Sequence, residues 1–125
     1  MSQRRTQAER RGRRGEALTA AWLMLTGWRI AGRRVRTPRG EIDIIARRGK
    51  TVCFIEVKWR RAKADLGRAI TPQGLRRVAA AAEAVAHRHA RPGDTLRIDV
   101  VLIAPGCWPK RIENAWQPGV GAGFP

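Results

Sequence analysis

Two short apolar runs separated by four residues set the terms for this chain: Glu-Ile-Asp-Ile-Ile-Ala at 41–46 and Thr-Val-Cys-Phe-Ile-Glu-Val-Lys-Trp at 51–59, with Arg-Arg-Gly-Lys between them. They read as two strands joined by a basic turn. Glu41, Asp43 and Glu56 lie inside these runs, and Lys58 follows two positions after the last acid. Charge in a run that should be buried needs a partner or a metal, because its desolvation is otherwise uncompensated.

Register decides whether these side chains meet. A four-residue loop at 47–50 pairs Ala46 with Thr51, Asp43 with Phe54 and Glu41 with Glu56. Directly opposed residues share a sheet face, as do strand residues two apart. Glu41, Asp43, Glu56 and Lys58 are therefore expected on one face, with Asp43 a diagonal neighbour of Glu56 at roughly 5–8 Å between residue positions. Ile42, Ile44, Ala46, Cys53, Ile55 and Val57 make up the other face, apolar and expected to pack on helices. A one-residue slip sends Asp43 to the wrong side.

At 125 residues the chain is one domain by length, with 26 Lys+Arg against 10 Asp+Glu and a formal charge of +16. Lysine occurs only at positions 50, 58, 63 and 110; arginine carries the rest. Such a field attracts polyanions, and the planar guanidinium suits phosphate, so nucleic acid is the default partner. An acidic membrane surface or acidic protein is the weaker alternative, and part of the arginine excess can reflect genome base composition. Cys53 and Cys107 lack pairing or metal spacing and read as free thiols in a reducing compartment. With no signal-type or membrane-length apolar run, the chain is expected to be soluble and cytoplasmic.

In chain order, residues 1–14 form a basic arm or a frayed helix start, 15–117 the single domain and 118–125 a flexible tail. A helix is expected over 15–26, with Ala17, Leu18, Ala21, Trp22 and Leu25 as its buried stripe and Gly27 ending it. Glu16 opens that helix, where the macrodipole favours an acid. A strand over 28–36 carries an irregularity at Gly32, and Thr37-Pro38-Arg39-Gly40 is a turn. Thr71 caps a second helix that runs to about Arg91, followed by a strand over 95–103 and a short edge strand or turn over 110–116. His87 and His89 point to different sides of their helix and make no metal pair. Asp99 reads as an ion-pair partner for an arginine. The arginines of the arm (Arg10, Arg11, Arg13 and Arg14), the cations after the third strand (Arg60, Arg61 and Lys63) and Arg76 with Arg77 on the second helix are the expected nucleic-acid contacts.

An Asp on one strand and Glu-x-Lys on its neighbour is a layout suited to metal-assisted phosphodiester cleavage. Carboxylate oxygens hold Mg²⁺ or Mn²⁺, and a lysine beside them orients the nucleophile or stabilises charge on phosphorus. The plainer reading of Glu56 and Lys58 is an ion pair between strand neighbours.

Gly15-Glu16, TGWRI at 26–30, GEIDIIA at 40–46, FIEVKWR at 54–60, Leu66-Gly67, AITP at 69–72, RIDVV at 97–101 and Asn114-Ala115-Trp116 together resemble the bacterial UPF0102 (YraN-like) family. The resemblance covers nearly the whole chain after the arm. It implies a restriction-endonuclease-like, Holliday-junction-resolvase-type α/β fold, with a central mixed sheet of four to five strands flanked by helices. It also implies Glu16, Asp43, Glu56 and Lys58 as the nuclease-like set, the three acids on the metal, with Glu41 as an adjacent supporting acid. Two departures stand out: Gln73-Gly74-Leu75 replaces a lysine near the start of the second helix, and an asparagine near Arg33-Arg34 is replaced by arginine. The leading expectation is a Mg²⁺-dependent nuclease acting on DNA, branched or single-stranded. A non-catalytic nucleic-acid-binding module is the alternative, as is a protein-interaction subunit docking through its edge strand or through exposed Trp59 and Trp108.

Overall fold

The first helix is longer than its apolar pattern. In the computed structural model, which describes residues 3–116 with side-chain surroundings from residue 12 onward, α1 runs over Gln3–Leu25. Gly12 and Gly15 do not interrupt it, although each glycine costs a helix roughly 1 kcal/mol; at Gly15 packing against the sheet offsets that cost. The Arg10 and Arg11 side chains and the 118–125 tail lie outside the described residues. Gly27 closes the helix in the left-handed region at φ 93, and the N–H groups of Gly27 and Trp28 donate back to the carbonyls of Met24 and Leu23.

The buried face of α1 is not the expected stripe. Glu16, Thr19, Ala20 and Leu23 turn inward, while Ala17, Leu18, Ala21 and Leu25 face solvent and Trp22 is half-buried. Small residues explain the rotation. At Gly15 the helix backbone lies against the sheet, and an added Cβ would meet Ile103 at 3.5 Å and Val57 at 3.6 Å. The Thr19 hydroxyl donates to the Gly15 carbonyl at 2.7 Å, so the hydroxyl needs no outside partner when buried. Close approach on this face carries Glu16 inward with it.

Five strands follow: β1 (Arg29–Thr37), β2 (Gly40–Arg48), β3 (Thr51–Trp59), β4 (Thr95–Ile103) and β5 (Lys110–Ile112). They lie in chain order in one sheet, antiparallel throughout except for the parallel β3–β4 pair. That parallel step requires a crossover, supplied by a 3₁₀ helix (Lys63–Arg68) and α2 (Pro72–His89). The Thr71 hydroxyl caps α2 by accepting from the Gly74 N–H at 3.0 Å, and Pro72 occupies the first helical position. The irregularity expected at Gly32 is a register shift between Ile30 and Gly32.

The sheet is covered on both sides. Ala20 and Leu23 of α1 pack with Trp28, Ile44, Ala46, Cys53, Ile55, Val101 and Ile103. On the other side Val78, Ala79, Ala81, Ala82 and Val85 of α2 pack with Ile42, Ile45, Val52, Phe54 and Ile98. Each large side chain removed from water in these layers contributes about 1.5–3 kcal/mol.

The hairpin register differs from the expected one. Arg48 pairs with Thr51, Ala46 with Cys53 and Ile44 with Ile55, so the loop is the two-residue Gly49-Lys50 rather than residues 47–50. Gly49 at φ 60 supplies the left-handed conformation that so tight a turn needs. The displacement is two residues in the pairing sum, which preserves side-chain parity. Ile42 is the exception to the expected faces: it joins the α2 side with Ile45, while Ile44 joins the α1 side. Alternation along β2 therefore breaks beside Asp43.

Candidate functional site

β2 and β3 part company at their acidic ends. Their ladder stops at Ile44 opposite Ile55, although β1 pairs with β2 as far as Gly40 and β4 pairs with β3 as far as Trp59. One more step would set Asp43 opposite Glu56, and like charges directly opposed destabilise a strand pair. Instead an Asp43 carboxylate oxygen spans the opening and accepts the Val57 N–H at 2.8 Å. A side chain thus takes the place of a backbone carbonyl, and the sheet forks.

Three other groups surround this fork. Glu56 and Lys58 stand on the β3 arm, paired with each other at 3.0 Å. Both also line a small recess with Thr71, Gly74 and Leu75 at the start of α2. Glu16 arrives from α1, 9% exposed, and Arg34 Nε donates to it at 3.1 Å. Since Glu16 lies well inside α1, the helix macrodipole does not account for it; its partner and its neighbours at the fork do.

Asp43 is the focus of the electrostatics. Burial pushes its carboxyl up from 3.8 to about 7; Glu56 and, more weakly, Glu16 raise it further, against the lowering effects of the Val57 N–H and Lys58. In a chain of charge +16, this half-buried carboxyl has no ion-pair partner among the described residues. Glu41 stands apart, turned toward Arg36 at 3.6 Å on an exposed edge. Among the described residues, no three His, Cys, Asp or Glu side chains are grouped to hold a metal ion. Glu16 and Glu56 each hold a cationic side chain, so a jointly liganded ion requires those pairs to open.

Of the expected nucleic-acid contacts, Arg13 and Arg14 are exposed on α1 just before Glu16, and Arg61 and Lys63 are exposed beyond the β3 arm. Arg60 is half-buried and donates to the Trp59 carbonyl at 2.8 Å. Arg76 and Arg77 are exposed on α2, where the Arg77 stem lies beside Gly40 at the start of β2. Trp108 is 93% exposed as expected, whereas Trp59 is half-buried against the α1-side core.

Spacing did not reveal Arg34. It occupies the left-handed region at φ 50, a conformation in which asparagine is the commoner side-chain-bearing residue. A second polar cluster lies on the α1 side: Asp99, fully buried, accepts from Arg97 at 2.9 and 3.0 Å, from Arg111 at 2.7 Å and from the Asn114 N–H at 2.9 Å. Burial alone would raise its carboxyl, but these donors hold it below the ordinary range. Arg48, Arg97 and Arg111 lie 4.6, 5.6 and 4.7 Å from the centre of the Trp28 ring. The cluster ties β4 to β5 and is structural.

A mixed five-stranded sheet between helices, forked where an Asp meets Glu-x-Lys, defines an α/β protein of restriction-endonuclease-like fold. The family model of UPF0102, described as an uncharacterised protein family, matches residues 15–103. A UPF0102 protein of Erythrobacter litoralis is 59% identical over 111 residues, 89% of this chain and 96% of the relative. One of Sphingopyxis alaskensis is 60% identical over 114 residues, 91% and 98% of the two chains, and one of Mesorhizobium japonicum is 50% identical over 113 residues, 90% of each. The chain belongs to the UPF0102 family. No helix among the described residues is long and apolar enough to cross a membrane.

Proposed function

We propose that the fork is the active site of a divalent-cation-dependent nuclease acting on DNA, branched or single-stranded. The observation that carries this reading is Asp43: a half-buried carboxyl beside two other acids, without a cation of its own in a strongly basic chain. Its oxygens and those of Glu56, with Glu16 in reserve, are hard donors that suit Mg²⁺ or Mn²⁺. Bound there, such an ion supplies charge neutralisation at the scissile phosphate and lowers the pKa of water. Lys58 leaves Glu56 to donate to a phosphate oxygen, countering the charge that builds on phosphorus. Water adds to phosphorus, the P–O ester bond breaks and the leaving oxygen takes up a proton, giving one phosphomonoester end and one hydroxyl end. The exposed arginines around the fork bind flanking phosphates without reading sequence.

The test is cleavage of duplex, single-stranded, flap and junction DNA by the purified chain in Mg²⁺ and in Mn²⁺. Metal-dependent turnover that falls at least a hundredfold in Glu56→Ala and in Lys58→Ala supports the proposal. No turnover on any of these substrates, or turnover indifferent to both substitutions, counts against it.

A second reading rests on the existing pairs of Glu16 with Arg34 and Glu56 with Lys58, which leave the acids engaged. It is a nucleic-acid-binding module that keeps the fold without turnover. In that case Glu56→Ala leaves DNA affinity unchanged or tightens it, because one negative charge near phosphate is gone.

A further inference from the structure

At the opposite end of β2 from the fork lies a basic pocket of about 330 Å³ lined by Gly27, Arg29, Arg47, Arg48 and Gly49. It is roughly 13–17 Å from Asp43 along the strand, at about 3.3 Å per residue. Arg29 and Arg47 are direct cross-strand partners, an arrangement that like charges disfavour. Arg47 is fixed by Asp94 at 2.8 and 3.2 Å and by the His89 carbonyl at 3.3 Å. Arg48 is fixed by the Thr26 carbonyl at 3.3 Å and by its stacking over Trp28. These bonds use only part of each five-donor fork.

Arg29 is exposed and has no ion pair among the described residues. No acid lines the pocket, and the single carboxylate of Asp94 offsets one of its three guanidiniums. The walls at Gly27 and Gly49 carry no side chain, so a ligand can approach the backbone. We infer that this pocket binds a phosphate group, with Arg47, held in place by Asp94, as the pre-set donor and Arg29, its cross-strand partner on the same sheet face, closing on the anion. Guanidinium forks match phosphate oxygens in geometry as well as charge. The volume lies in the range of small-ligand pockets, roughly 300–1,000 Å³. The phosphate is either a backbone phosphate of a nucleic acid or that of a free phosphate ester, and the site requires no cleavage at the fork.

Calorimetric titration of the full chain with pyrophosphate tests this directly. The wild type is expected to bind saturably at one site. Arg29→Ala is expected to weaken binding at least tenfold with an unchanged melting temperature, Arg29→Lys to recover part of the loss, and Arg68→Ala, an exposed arginine elsewhere, to change it less than twofold. A parallel titration with a short oligonucleotide separates the sources. For a backbone phosphate, pyrophosphate competes with the oligonucleotide and Arg29→Ala lowers the slope of log affinity against log salt by about one. For a free ester, Arg29→Ala leaves oligonucleotide binding unchanged while pyrophosphate binding is lost. Absence of saturable pyrophosphate binding, or equal weakening by Arg29→Ala and Arg68→Ala, overturns the proposal.

Discussion

Asp43 carries a measurable signature of its surroundings. Its folded-state pKa, about 7 against 3.8, means that the native protein holds a proton which the unfolded chain has already released. Stability contributed by that difference is complete below about pH 4, declines as pH rises toward 7 and is flat above. At about 1.4 kcal/mol per unit, reduced because the group is only half-buried, the decline amounts to roughly 1–3 kcal/mol. Asp43→Asn keeps an oxygen for the Val57 N–H and removes the charge. Urea titrations of this variant are expected to show a gain of that size at pH 8, no difference at pH 4 and a flatter profile between. The Asp99 cluster behaves in the opposite sense. Asp99→Ala strands Arg97 and Arg111, whose side chains are 20% and 12% exposed, and is expected to cost about 3–5 kcal/mol by the same method.

At the scale of elements, α1 positions Glu16 through its close seat at Gly15. The added methyl of Gly15→Ala meets Val57 and Ile103 at ordinary contact distance. Helix propensity then favours the variant by up to about 1 kcal/mol. Gly15→Leu cannot fit, lifts the helix and is expected to lower the melting temperature by several degrees. Leu23→Ala on the inner face should cost about 2–5 kcal/mol, whereas Leu25→Ala, at a side chain 87% exposed, should stay within about 0.5 kcal/mol. The contrast follows from the rotation that periodicity missed: apolar side chains at 17, 18, 21, 22 and 25 make a convincing stripe, yet sequence spacing does not register that glycine, threonine and alanine permit the tighter contact. β3 and β4 were legible to the residue because they run between turn signals. The hairpin register was not, since either a two-residue or a four-residue loop fits Arg-Arg-Gly-Lys, and only cross-strand packing selects between them. A two-residue displacement keeps side-chain parity, so Glu56 and Lys58 stay beside Asp43 at the fork, whereas Glu41, expected on the same face, turns away toward Arg36.

In the whole molecule, the acidic fork and the basic pocket occupy opposite ends of β2 within a field of charge +16. Both proposed readings expect DNA binding that falls steeply with salt, because attraction of that sign is long-range, so affinity alone does not separate them. A cation at the proposed fork site would: its oxygen ligands would bind it deprotonated, which would couple metal affinity to the titration of Asp43. Carbon-13 NMR of the Asp43 carboxyl, titrated with and without saturating Mg²⁺, reads this coupling at the atom concerned, with Asp43→Asn identifying the resonance. The carboxyl is expected to titrate near 7 without the ion and at least two units lower with it. A titration midpoint unmoved by saturating Mg²⁺ or Mn²⁺ would contradict the fork as a cation site, and with it the nuclease proposed there.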